Sequence, residues 1–247
     1  MIASELVKIK RTRLWIVCLC VPLLSVVLGT LNFLGNTDQL TNGWDSYSSQ
    51  TGLFYALVFF SVGSSVIVST VWSADFRTSN WNLISSCYRS GALIFVAKGF
   101  VSYLAIVVMH LLYMLLTLGV AIALSIDGIQ VGSFLAVNCL VFAIAAPFAT
   151  FQGFLSFATR NFSWPVGISV LLCASGFLVV TGETLASLRF VIPQALGTYT
   201  LALSSAAFKI QGNLLLNGLG CVLFSILQSA VFLCLSVWLL RHRNARA

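Results

Sequence analysis

KIKRTRLWIVCLCVPLLSVVLGTLNFL, residues 8–34, decides the fold. A cationic run gives way to 21 residues, 14–34, without a single charged side chain. A helix of about 20 apolar residues matches the hydrocarbon thickness of a bilayer. Five more such stretches follow, at residues 52–72, 93–125, 132–158, 164–182 and 214–240. Hydrophobic residues make up 59% of the chain and charged ones 8%, whereas a soluble domain carries roughly 25% charged residues. The expected fold is all-α: one transmembrane domain over residues 1–247, crossing the membrane as six helices.

Charge sets the orientation. Eleven of the thirteen basic residues fall on the side of the N-terminus, among them Lys8, Lys10, Arg11, Arg13, Arg77, Arg89, Lys98, Arg160 and Arg241. The opposite side holds Arg189 and Lys209, with the acids Asp38, Asp45, Asp127 and Glu183. Lys and Arg accumulate in cytoplasmic segments. Both termini are therefore expected in the cytoplasm, and the spans are even in number. The net charge of +7 fits anionic lipid headgroups and calls for no nucleic acid.

The basic N-terminus has two further readings. A cleaved signal peptide fits poorly, because its apolar run is too long and no small-x-small site follows. Residues 1–13 are expected to hold a short amphipathic helix in the headgroup plane. Ile2, Leu6 and Ile9 share its apolar face, Glu5 and Lys8 lie off it, and its basic residues meet lipid phosphate. The alternative is a frayed basic tail.

Cysteines carry no chemistry in this reading. Cys18, Cys20, Cys139, Cys173, Cys221 and Cys234 fall inside spans and Cys87 in a loop, so they read as small packing residues.

The loops differ in kind. Residues 35–51 read as a polar outer loop with Trp44 and Tyr47 at the membrane interface. The inner segment 73–91, SADFRTSNWNLISSCYRSG, is longer than a tight connection needs. Asp75 or Ser79 can cap a short helix there, with Trp81, Leu83 and Ile84 apolar. Trp81 either sits at the membrane interface or fills a pocket on a partner. Residues 183–213 are half apolar but too short for two spans. They read either as two short helices broken near Pro193 and Gly197 that dip into the membrane, or as one amphipathic helix on its surface.

Ionisable groups at membrane depth are functional candidates. Lys98 can snorkel to the surface. His110 falls near the midplane and reads as a hydrogen bonder between helices, since a proton relay needs an acid at similar depth. Asn138, Gln152, Asn217 and Gln228 are expected to bond across helices, Ala145, Ala149 and Gly153 to allow close helix approach, and Pro147 to kink its helix. No zinc-protease run, phosphate-binding Walker loop or serine-hydrolase elbow occurs. No catalytic group, metal ligand or resident cofactor is expected, which disfavours a membrane enzyme. Energy for any transport must come from another subunit.

The pattern resembles the membrane subunits of ABC-2 type transporters, most closely the lantibiotic-immunity permeases related to the bacitracin-resistance ones. Glu5-Leu6-x-Lys8-x-Lys10-Arg11-x-x-Leu14-Trp15 is similar to that family's N-terminal helix entering the first span. Residues 31–36 (LNFLGN), Gly43-Trp44 and Gly52-Leu53-Phe54-Tyr55 look like its first outer loop and second span. Asn80-Trp81-x-Leu83 with Lys98 looks like its cytoplasmic coupling region, although Ser85-Ser86-Cys87-Tyr88 replaces a Pro-containing stretch.

The resemblance implies six spans in the arrangement of type V exporters, with cytoplasmic termini in a bacterial plasma membrane. It implies a coupling helix in residues 73–91 and a re-entrant extracellular segment in 183–213. A second permease subunit, the same or a sister chain, would face spans one, two and five. A dimer of separate ATPase subunits would hold ATP and magnesium. Asp75, Arg77, Trp81, Asn82 and Leu83 would press into the ATPase groove. The substrate implied is an amphiphilic antimicrobial peptide expelled for self-immunity or resistance. Two other readings stand beside it: a six-span scaffold or signalling component that transports nothing, and an ABC-2 exporter of another amphiphile, a lipid or a drug.

Overall fold

The computed structural model describes residues 2–40, 43–77, 91–203, 205 and 213–244. Helix α1, Ile2–Arg11, ends where Thr12 donates through its amide and hydroxyl to the Ile9 carbonyl. Arg13 then takes a left-handed φ of 55°, a conformation that costs a non-glycine residue about 1–2 kcal/mol. That corner turns the chain into α2, Leu14–Gly35. One stripe of α2 is buried (Leu14, Cys18, Pro22, Ser25, Val26, Gly29), while Trp15, Leu19, Leu23 and Leu31 on the other side stay exposed on the single chain. A helix apolar all round is made for a lipid surface.

The next crossing is longer than its apolar run. Helix α3, Gly43–Phe54, continues through one π turn, Tyr55–Phe59, into α4, Phe60–Arg77. The 34 residues Gly43–Phe76 form one apolar helix, about 51 Å long at 1.5 Å per residue. Residues 43–51 are thus helix, not polar loop. Trp44 and Tyr47 turn into the core rather than to the outer surface of the chain. Tyr47 meets Phe33 edge-on at 5.6 Å, and Trp44 meets Phe134 at 5.4 Å. The polar residues of this stretch hid an inward face made by its two aromatics. Gly29 lets α2 and α3 touch backbone to backbone: a Cβ there would lie 2.7 Å from the Thr51 nitrogen and 2.9 Å from the Gln50 oxygen.

The remaining crossings are α5, Gly91–Ala123; α6, Val131–Thr159; α7, Ser163–Thr181; and α9, Leu214–Asn244. Among the described residues, six helices are long and apolar enough to cross a membrane. Between α7 and α9 lie a 3₁₀ helix, Glu183–Phe190, and the short α8, Pro193–Ala202. The chain breaks just before Pro193, while Gly197 lies inside α8 and packs on Phe148. Every residue of α8 is buried. Thr198 reaches from it to donate to the Ala56 carbonyl in the π turn at 2.9 Å.

The interior is filled. Tyr55 and Tyr113 stack at 3.8 Å, Phe60 meets Phe148 at 5.0 Å, and Trp72 meets Phe95 at 4.8 Å. By contrast α9 is mostly bare, with Leu215, Leu216, Leu219, Leu223 and Ile226 all more than half exposed.

Candidate functional site

At the end of the bundle nearest the N-terminus, four charged side chains close a ring. Lys8 Nζ lies 2.7 Å from Glu5 Oε1 and 2.9 Å from Asp75 Oδ1. Lys98 Nζ lies 3.0 Å from Glu5 Oε2 and 2.5 Å from Asp75 Oδ2. Each carboxylate thus bridges both ammonium groups, and formal charge cancels. Glu5 and Lys8 are one helical turn apart on α1, Asp75 sits in the last turn of α4, and Lys98 sits in α5.

Burial makes the ring consequential. Lys98 is 0% exposed, Asp75 3% and Glu5 6%. A buried charge survives only if paired and hydrogen-bonded. Lys98 meets that demand with two carboxylates, the Val71 carbonyl at 3.1 Å and the Trp72 ring at 5.5 Å. It does not snorkel: acids at its own depth draw it inward. Burial alone would pull the Lys8 ammonium below its ordinary value, but its bonds to Glu5 and Asp75 outweigh this and raise it. Lys8 therefore faces protein acids, not lipid phosphate, and Glu5 is the inward residue of α1. Ile2 and Leu6 lie outward.

The ring brackets the segment expected to couple. Asp75 precedes residues 78–90 and Lys98 follows them. The Asp75 side chain is committed inside the ring. Arg77 ends α4, and Trp81, Asn82 and Leu83 lie outside the described residues. Beside the foot of α4, a cavity of about 400 Å³ is lined by Ser73, Phe76, Arg160, Asn161 and Ser163.

Further along the bundle, His110 Nδ1 lies 3.4 Å from the Tyr55 hydroxyl, and its Nε2 lies 3.1 Å from the Asn138 carbonyl. No acid pairs with it among the described residues. Asn138 donates its amide to Phe134 within its own helix at 2.8 Å, so it bonds across helices through its backbone and not its side chain. Gln228 donates to the Arg189 carbonyl at 3.1 Å.

A seam of small polar residues runs between α4, α6 and α7. Ser61 and Ser169 hydroxyls meet at 3.0 Å, Gln194 donates to Ser169 at 3.4 Å, and Ser69 meets Ser156 at 3.5 Å. Gln152, in α6 one turn before Ser156, is fully buried, and neither side-chain amide atom has a protein partner among the described residues. On the same helix Gly153 faces Trp72, whose Nε1 would lie 3.2 Å from a Cβ there. Ala145 and Ala149 are buried as well.

Sequence reasoning singled out Asp75 and Lys98 but missed their partners Glu5 and Lys8. A signal existed: Glu5 is an acid within a basic N-terminal run, and Lys98 is a cation among apolar residues. Two stranded cations and two stranded acids at one end of a membrane bundle invite pairing.

Nothing in the ring is a catalytic arrangement. Its geometry ties three helices together at the base of residues 78–90. No curated protein and no solved structure matches the chain. The family model described as ABC-2 family transporter protein matches residues 1–176, from α1 into α7. That is well over half of the 247 residues, and the chain belongs to the ABC-2 transporter family.

Proposed function

We propose that this multi-pass ABC transporter permease subunit expels lantibiotic-like antimicrobial peptides from a bacterial plasma membrane. Its termini lie in the cytoplasm, and a dimer of separate ATPase subunits, which bind ATP and magnesium, drives it. The observation that carries the reading is the ion ring at both feet of residues 78–90. Force applied to that segment enters α4 and α5 together and reaches α1 through Glu5 and Lys8. Arg77, Trp81, Asn82 and Leu83 meet the ATPase, while Asp75 braces the helix end from inside.

The transport path lies between two permeases. Stacked rings fill the interior of one copy (Tyr55, Phe60, Trp72, Phe148), whereas α2 keeps a bare apolar face for a second copy. An amphiphilic peptide already in the bilayer would enter laterally at that face. The test expresses the chain with a candidate ATPase in a lantibiotic-sensitive bacterium. Survival should rise several-fold for a lantibiotic, and only with an ATPase competent to hydrolyse ATP. Unchanged survival across a lantibiotic panel, alongside efflux of a lipid or drug, would replace the substrate and leave the ATP-driven permease standing.

A further inference from the structure

Arg189 is a cation with no acid partner among the described residues, at the end of the bundle away from the N-terminus. Gln228 fixes its backbone carbonyl at 3.1 Å. Two rings hold its guanidinium, Tyr199 at 4.2 Å and Phe190 at 4.8 Å. Phe190 itself packs on Phe224 of α9, the two rings tilted with centroids 4.3 Å apart. The guanidinium borders a cavity of about 200 Å³ whose other walls include Asn217, Gly220 and Cys221. Rings that stack on a guanidinium restrain its plane without consuming its hydrogen-bond donors.

The setting limits what can bind. Asn217 to Cys221 are three to seven residues past the start of α9, within about 10 Å of it along the axis. That range reaches the headgroup and glycerol region, the outer 5–7 Å or so of each leaflet. The cavity is smaller than the roughly 300 Å³ that drug-sized ligands need, so a bulky substrate does not fit inside it. Beside it run Leu216, Leu219 and Leu223 of α9, all more than 60% exposed. A small anionic group continuing into a hydrocarbon chain matches both halves.

We propose that Arg189 and the cavity between the 3₁₀ helix, α8 and α9 form a binding site for one membrane phospholipid. Its phosphate sits on the guanidinium fork, with Asn217 beside it, and its acyl chain lies along Leu216, Leu219 and Leu223. Guanidinium–phosphate pairing supplies the specificity, and the leucines supply area. The bound lipid completes the lipid-facing side of an element that the protein leaves half covered.

The experiment is native mass spectrometry of the full-length chain, titrated with phosphatidylglycerol, with diacylglycerol of the same acyl chains, and with inorganic phosphate. Wild type should retain one phosphatidylglycerol, and both diacylglycerol and phosphate should bind at least about tenfold more weakly. Arg189→Gln should lose about tenfold in phosphatidylglycerol retention, and Arg189→Lys less. Gly220→Leu is the second variant: Gly220 lines the cavity and an added Cβ there meets no atom within 4 Å, so a larger side chain takes up cavity space while Arg189 stays in place. It should lose the lipid too. Equal retention of diacylglycerol, equal binding of free phosphate, or unchanged retention in Gly220→Leu would overturn the site, whether or not Arg189→Gln folds.

Discussion

Lys98 and Asp75 meet at 2.5 Å, both almost wholly buried. Their contact joins the end of one crossing to the beginning of the next. Glu5 and Lys8 close the ring from α1, so that helix is bolted to both.

Replacing Lys98 by Met leaves Glu5 and Asp75 with a single ammonium between them. Loss of one partner of a buried ion pair costs about 3–5 kcal/mol. Removing Asp75 as well, as Leu, leaves the Lys8–Glu5 pair balanced. Thermal unfolding in detergent should show the double variant losing less than the two single variants summed. Additive losses would mean that the ring is not a coupled unit.

Lys8 titrates above its ordinary value of 10.5. The stability it contributes is complete below the unfolded value and disappears as pH rises through the higher folded value. Unfolding midpoints measured from pH 9 upward should fall in that alkaline window. The Lys8→Gln variant should show a flatter profile there. Parallel profiles would assign the alkaline loss to another group.

Gln152 keeps both polar atoms of its amide buried without a protein partner among the described residues. Replacement by Leu, close in volume and apolar, removes an unmet hydrogen-bonding demand worth roughly 1–3 kcal/mol. Stability in detergent should hold or rise. A drop of more than about 2 kcal/mol would show that the amide is satisfied in the working protein.

Trp81→Ala with Leu83→Ala removes the apolar side chains assigned to the ATPase groove. Truncating an aromatic hot spot costs about 2 kcal/mol or more, so co-purified ATPase should fall more than tenfold while membrane insertion is unchanged. Undiminished ATPase recovery would move the coupling contact elsewhere.

The crossings were legible because hydropathy is a local property: each apolar run in the sequence falls on one of the six long helices, though the ends differ by up to nine residues. The second helix starts at Gly43, nine residues earlier than its apolar run. Residues 43–51 are polar in composition, and only their partners on α2 and α6 reveal which side faces in. The ring was harder to read, for a related reason. Lys8 and Asp75 are 67 positions apart, Lys98 and Glu5 are 93 apart, and each alone has an ordinary local explanation. A lysine near a helix end can snorkel, and a glutamate on an amphipathic helix can face water. Only the three-helix junction shows that neither does.

The π turn at Tyr55–Phe59 makes the second crossing two rods that share a wider joint at mid-height. Its upper rod is sealed to α2 at Gly29, its lower rod ends in the clamp at Asp75, and Thr198 props the joint from the side. At that level the regular i to i−4 ladder gives way to the wider π ring, and the Thr198 bond to the Ala56 carbonyl supplies a partner from outside the helix.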